Sequence, residues 1–442
     1  MVLGSKCINA LVHSARKASQ LWYGLIQKAA ATFGSATTTC IGQPRQSETD
    51  TLLNCRSTAV RRILYVQFGD PAAYPPIEHS AHILAERNWD VILLGTDAYG
   101  VQNLKVTAHP QILVRNLALA KLAGRQSVQY VYFFIWCLYL IWTWRPAWIY
   151  ASDPLALPAI WLIRKFTTAR IIYHEHDSPN ATPARSWFMK AVLMCRKKLA
   201  RDVELCVIPQ QERLIKFLEE TNRQSPTVCV WNCPRLCEVQ YNYDKGESEQ
   251  DDKLILHYHG SINSERLPKE LVVAASRFRG AIRIRIIGYE VPGSIGYVNT
   301  LVKIATDSGA PEIIEFLGTI PHQDLLLCAS KAHVGLSLMP KRSDDINLRY
   351  MVGASNKPFE YMACGLPLLV TDLSEWKSTF VIPGYARACD PDSVDSLEAE
   401  LNWYLCNPVQ RREMGRRCAE QIRQSWNYDK MFGGVLARLE RR

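Results

Sequence analysis

Two doubly wound α/β halves joined by a polar linker are what the sequence predicts. Short apolar, β-branched runs alternate with helix-length segments from Arg62 onward. Such runs suit strands buried on both faces, and their alternation with helices implies parallel order. An acidic, polar stretch at 244–253 then separates a first alternating series from a second. Size agrees: 442 residues exceed one typical core, so two domains of ordinary size are expected.

The strand-like runs of the first half fall at 63–68, 91–94, 112–114, 148–150, 171–173, 205–208 and 228–230, with a helix predicted over 77–88. Those of the second half fall at 254–258, 282–287, 313–316, 334–338 and 368–370. After Asp392 the pattern is helical, over 393–404, 409–425 and 428–439. The expected organisation is a basic extension over 1–60, an N-terminal domain over 61–243, a linker over 244–253 and a C-terminal domain over 254–425. A closing helix over 426–442 is expected to pack back toward the N-terminal domain.

At 48% hydrophobic and 21% charged, the chain is globular in composition. Its net charge of +10 is uneven. Residues 1–62 carry eight Lys/Arg against Glu48 and Asp50, a net of +6, which leaves +4 for the other 380. That favours a basic tail near anionic lipid over a nucleic-acid partner. The 14 cysteines follow no pairing framework, as expected of reduced, buried thiols in a cytoplasmic protein. The first 60 residues lack the long apolar run of a secretory signal. Residues 11–33 read as a disordered extension, or as an amphipathic anchor or transit segment with Leu21, Trp22, Leu25 and Ile26 on one face.

One run breaks the rhythm. Residues 127–144 hold no charge, and 130–142 are apolar or aromatic on every side. The length is at the lower limit for a bilayer span. Spanning would part the strand at 148–150 from its partners, so two readings remain. One is a buried crossover helix. The other is a monotopic helix that turns Phe133, Trp136 and Leu140 to the lipid interface.

Ligands of open parallel sheets bind beyond the carboxyl ends of the strands, which points to four loops. The first carries Gly69, where backbone can approach a ligand, but no G-x-G-x-x-G fingerprint. The second is His174-Glu175-His176-Asp177, four titratable groups in a row. Alternation sends the two histidines to one face and the two acids to the other, and no distal ligand appears. A polar site for a hydroxylated substrate suits this loop better than a metal. The third turns at Gly260-Ser261 and delivers Arg266, whose fork geometry can bridge phosphate oxygens. The fourth is the small-residue stretch Gly353-Ala354-Ser355 running into a helix with Asn356, Lys357 and Glu360. A helix N-terminus there would seat phosphate, with Lys357 adding charge and Glu360 accepting from a sugar diol.

Together these loops resemble the GT-B glycosyltransferases, and within them glycosyltransferase family 4, over residues 62–440. The resemblance rests on Ser-Asn-Lys-Pro-Phe-Glu-Tyr-Met-Ala-Cys-Gly-Leu-Pro at 355–367, Tyr-His-Gly-Ser at 258–261, Tyr-His-Glu-His-Asp at 173–177 and Trp-Asn-Cys-Pro at 231–234. It implies two Rossmann-like domains facing a cleft, a nucleotide-sugar donor held mainly by the second, and transfer with retention. By resemblance, Glu360 holds the ribose hydroxyls, Arg266 and Lys357 neutralise the diphosphate, and Gly260, Ser261 and Asn356 complete the donor side. His176, which fits better than His174, approaches the donor sugar and joins Glu360 as a catalytic residue. Gly69, His174, Glu175 and Asp177 then fall on the acceptor and sugar side. The implied partners are a nucleotide sugar and a glycan or lipid-linked acceptor for cell-surface glycan or glycolipid synthesis, with peripheral contact at the cytoplasmic membrane face. No metal or other cofactor is implied. Two departures stand out. Val352 occupies the place of the first acid of the family's E-x7-E pattern, and Ser261 the place of an Arg that often follows the loop glycine. A same-fold epimerase or hydrolase, and a non-catalytic sugar-nucleotide-binding component of an assembly complex, are the rival readings.

Overall fold

The computed structural model describes residues 61–97, 104–118, 126–179, 186–240 and 253–441. Expectations for residues 1–60, and for most of the linker at 244–253, concern positions outside these. The chain divides into Met1–Ala59 and Val60–Arg442, and the second unit is the one described below.

Its first sheet contains β1 (Arg61–Gln67), β2 (Trp89–Thr96), β3 (Ile112–Leu117), β4 (Trp148–Ser152), β5 (Arg170–His174), β6 (Leu205–Ile208) and β7 (Thr227–Cys229). The second contains β8 (Leu254–Ile262), β9 (Ile282–Glu290), β10 (Ile314–Phe316), β11 (Val334–Ser337), β12 (Leu368–Thr371) and β13 (Ala386–Cys389). The orders are β3-β2-β1-β4-β5-β6-β7 and β10-β9-β8-β11-β12-β13. Every described pairing is parallel, as the run of doubly buried strands requires. Strand order reverses between β1 and β4, and again between β8 and β11. Helices leave for opposite faces at those points and open a crevice at the carboxyl edge.

The helices are α1 (Pro75–Ala85), α2 (Gln126–Trp144), α3 (Leu157–Ile163), α4 (Trp187–Asp202), α5 (Gln211–Thr221), α6 (Lys269–Ser276), α7 (Tyr297–Asp307), α8 (His322–Ala329), α9 (Ile346–Arg349), α10 (Lys357–Ala363), α11 (Ser374–Trp376), α12 (Val394–Cys406), α13 (Pro408–Gln424), α14 (Tyr428–Met431) and α15 (Gly433–Glu440). Local signals set their ends. Pro75 and Pro76 open α1, the Ser186 hydroxyl accepts from Met189 N to cap α4, and Gly365 at φ 76° follows α10.

One face of the first sheet carries α2, α3, α4 and α5 over Leu64, Val66, Phe133, Ile160, Leu199 and Phe217. The other face carries α1 together with α14 and α15, where Tyr428, Val435 and Leu439 pack with Ile63, Trp89 and Trp148. The aromatic run is therefore a crossover helix. Phe133 and Leu140 point into the sheet and are buried, which corrects their assignment to a lipid-facing side. Among the described residues no helix is long and apolar enough to cross a membrane. Strand β13 is absent from the sequence expectation, because Ala-Arg-Ala-Cys is too short and too weakly apolar to announce an edge strand.

Carboxyl-edge loops of the two sheets meet. Ser178, beyond β5, donates its N–H to Asn347 Oδ1 at 2.8 Å, and Asn347 Nδ2 donates back to Ser178 O at 2.9 Å. Gln210, beyond β6, donates to Glu375 at 2.6 Å. The two switch points thus look into one cleft.

Candidate functional site

On the first-domain side of the cleft, β1, β4, β5 and β6 end together. Ser152, last in β4, places Oγ 2.9 Å from His176 Nε2. Asp153 follows at φ 66°, ψ 157°, a region that non-glycine residues avoid at a cost of about 1–3 kcal/mol. Its carboxylate is held on both oxygens: His176 N donates to Oδ1 at 3.1 Å, and Gln67 Nε2 to Oδ2 at 3.4 Å. Burial raises its pKa to about 6, against these hydrogen bonds. His176 is buried beneath the Tyr74 ring, and burial lowers its pKa to about 4, so it is neutral at pH 7. His174 stacks on it at 3.8 Å between ring centroids and pairs with Tyr150 OH at 2.8 Å.

Alternation along the chain turns Glu175 the other way. It is fully buried, takes Arg196 Nε and Nη2 on separate oxygens, and accepts from Tyr173 OH at 2.6 Å. Those contacts lie inside the domain and leave it nothing to offer a sugar. Asp177 is exposed and stands 3.7 Å from the buried Arg213 guanidinium, which also donates to His176 O. Gly69 accepts from Thr96 N through its carbonyl, alongside Gln67 and Tyr74.

On the second-domain side, Gly260 has a structural reason to be glycine. At φ 113° it lets Lys357 lie across the strand, since a Cβ there would stand 2.4 Å from Lys357 Cε. Lys357 Nζ sits 3.3 Å from Tyr258 OH and over the Tyr258 ring. Burial, reinforced by Arg266, lowers its pKa to about 7. Arg266 is partly buried with Nη1 3.2 Å from Met339 Sδ; it feels Asp177 across the cleft and Asp345 of its own domain. Ser261 is within β8 and accepts from Tyr258 OH through its carbonyl.

Glu360 lies at the centre of a histidine network. Only 2% exposed, it accepts from His259 Nε2 at 2.7 Å, Asn356 Nδ2 at 2.6 Å and His322 Nε2 at 3.3 Å. Burial would raise its pKa, but the two histidines hold it well below the carboxylate range. Burial likewise lowers the His259 pKa, whereas Glu360, with Glu238 and Glu78 behind it, raises that of His322 to about 9. Glu360 is therefore an anion facing a cationic His322 and a neutral His259. A carboxylate offers about four acceptor sites, so one remains for a ligand hydroxyl. The network continues from His322 Nδ1 to Glu238 Oε1 at 3.6 Å, and from Glu238 Oε2 to His79 Nε2 at 3.1 Å. It thereby reaches α1 of the first domain.

The structure brings His176 and Asp177 to one wall and Arg266, Asn356, Lys357 and Glu360 to the other. Sequence reading missed Asp153, His322 and Glu238. The signal for the first was an acid directly after a strand, at Ser152-Asp153-Pro154; the other two carry no motif. Val352 is buried among Met351, Phe359 and Met362, so the place of the family's first acid is part of a core. Among the described residues no group of three or more His, Cys, Asp or Glu is placed to hold a metal ion.

Residues 266–437 match a family described as glycosyl transferase-like. No curated protein matches the chain with significance. Among solved structures, sucrose-phosphate synthase from Thermosynechococcus elongatus superposes with a TM-score of 0.63 at 14% identity, covering 86% of this chain and 99% of that one. Anabaena HepE in complex with UDP-glucose gives 0.58 at 12% identity, covering 86% and 99%. A UDP-N-acetylglucosamine 2-epimerase gives 0.52 at 12% identity, covering 87% and 99%. The two-domain architecture is the GT-B fold.

Proposed function

We propose that the chain is a retaining glycosyltransferase of family 4 type. It moves a sugar from a nucleoside diphosphate donor to a glycan or lipid-linked acceptor, in cell-surface glycan or glycolipid synthesis at the cytoplasmic face of a membrane. The observation that carries this reading is the convergence of Arg266, Lys357 and Glu360 at the switch point of the second sheet, opposite Asp153 and His176. Match to the glycosyl transferase-like family over the half that holds these three residues supports it.

In this reading the free acceptor site of Glu360 takes a ribose hydroxyl. Arg266 and Lys357, sharing Tyr258, face the diphosphate and stabilise the charge that develops as it departs. His176, neutral and fixed by Ser152, hydrogen-bonds the transferring sugar. Asp153 and Asp177 bound the acceptor side. The leaving oxygen deprotonates the acceptor on the same face, which gives retention. HepE was solved with UDP-glucose, which makes uridine donors the first to try.

The test is incubation with a panel of UDP, GDP, ADP and dTDP sugars and a membrane-lipid extract as acceptor, with NMR of the product anomer. Expected is one donor consumed with its anomeric configuration kept. An inverted product would remove the retaining mechanism. The core valine at 352 favours a second reading, a binder without turnover. Donor binding with no product or free sugar across the panel would establish it, whereas an isomerised or hydrolysed donor without acceptor would indicate an epimerase or hydrolase.

A further inference from the structure

Charge and exposure set one layer of the molecule apart from the cleft. Residues 98–201 carry 14 Lys/Arg against only Asp153, Glu175 and Asp177, a net of +11 in a chain of +10. Everything outside this stretch therefore nets −1. None of these three acids lies on the outer layer: Asp153 and Asp177 belong to the cleft, and Glu175 is buried against Arg196. Asp202, which ends α4 just past this stretch, is paired with Arg164.

Helices α2, α3 and α4 form the basic part of that layer, their crossovers passing over one face of the first sheet, and α5 with Glu212, Glu219 and Glu220 borders α4 on the same face. Large apolar side chains project from it: Trp142 is 72% exposed, Phe166 77% and Trp187 76%. On α4 the exposed positions Trp187, Lys190, Met194, Lys197 and Arg201 recur at helical spacing, so one face alternates apolar and cationic groups. At the far end of α2, Trp142, Arg145, Lys165 and Phe166 line a groove of about 560 Å³. Between the two, Lys165 and Lys198 hold their ammonium groups over the Trp161 ring at 5.7 and 5.2 Å.

We propose that the α2–α4 layer is a docking surface for an anionic lipid membrane, with the exposed Trp and Phe side chains at the acyl boundary and the lysines and Arg145 at the headgroups. Two properties single out this occupant. Indole and phenyl rings flanked by cations match an interface whose inner part is apolar and whose outer part is negative. An acidic protein or a nucleic acid would satisfy the cations and leave three large apolar groups without a use. The surface goes beyond the donor-site reading and does not depend on it, since no residue of the layer touches the cleft network.

Full-length protein is sedimented with phosphatidylcholine vesicles with and without phosphatidylglycerol. Two double variants accompany the wild type, Trp142→Ser/Phe166→Ser and Lys165→Glu/Lys197→Glu, and all four positions are exposed. Far-UV circular dichroism melting reports whether each variant folds. Expected is binding to the anionic vesicles only, weakened by salt. The charge reversal lowers the apparent affinity about tenfold or more. The apolar double variant loses whatever binding survives high salt. Wild type that ignores both vesicle types overturns the proposal. So do variants that fold and bind like wild type, which would assign lipid binding to another part of the chain. Anionic-vesicle binding abolished by equimolar RNA would assign the surface to nucleic acid instead.

Discussion

Lys357 decides how the site responds to pH. Its pKa in the empty protein is lowered to about 7, with burial as the largest cause and Arg266 as the next. A bound diphosphate favours the charged form and raises that pKa. The complex then holds more proton than the free protein from pH 7 upward. Donor or nucleoside diphosphate binding at pH 8 should therefore take up a proton, and affinity should fall as pH rises through that window. Calorimetry in two buffers of different ionisation enthalpy measures the uptake, and identical heats would contradict the assignment. Asp153 supplies a second residue-scale expectation. Asp153→Asn keeps shape but removes the anion, and should cut transfer by about 10²-fold while nucleotide affinity holds. Loss of binding in the same proportion would place Asp153 elsewhere. Lys357 and Glu360 were legible because a short motif between small residues and Gly365-Leu366-Pro367 marks them. Asp153 was not, since its significance is its backbone angle and its position beside His176, neither of which is written in one dimension.

Among the elements, the β8–β9 pair sets how close Lys357 comes to the strand edge. Gly260 and Gly288 are paired across the two strands, and a Cβ on Gly288, at φ 141°, would stand 1.9 Å from Gly260 O. Gly288→Ala should lower stability by about 2 kcal/mol or more, read as a shift in urea midpoint. Gly293→Ala, where no atom lies within 4 Å of the added carbon, should leave it nearly unchanged. Equal midpoints for the two variants would remove the packing argument. Twelve of the 13 strands among the described residues correspond to runs visible in the sequence, because continuous apolar segments leave little choice but a doubly covered parallel sheet. Helix α2 shows the limit of that reading. Its lack of any charge says that it is buried or lipid-facing, but not which side chain does which. The fold turns Phe133 inward and leaves Trp142 out.

For the molecule as a whole, the joint between the domains is polar. His79 on α1, Glu238 in the connecting segment, and His322 and Glu360 in the second domain form one series of contacts. Arg235 ties the same segment to Glu86 and Asp429. His322 has a folded pKa raised from 6.5 to about 9, so the stability it contributes is complete below pH 6.5 and disappears as pH rises through 9. His322→Gln should flatten the fall of the melting temperature across that interval, and parallel wild-type and variant curves would show that the contact contributes nothing. Of this network only Glu360 was legible in the sequence, because its members are scattered over four elements and meet only after the domains have docked.

The most direct measurement is a calorimetric titration of the nucleotide-sugar panel into wild type and into Arg266→Ala/Lys357→Ala at neutral pH. One donor should bind the wild type. The variant, deprived of two charged contacts worth about 1.5–3 kcal/mol each, should bind it about 10²-fold more weakly or less tightly still. A folded variant that binds the donor as tightly as wild type, or a wild type that binds none of the panel, would contradict the claim that this cleft holds a nucleoside diphosphate sugar.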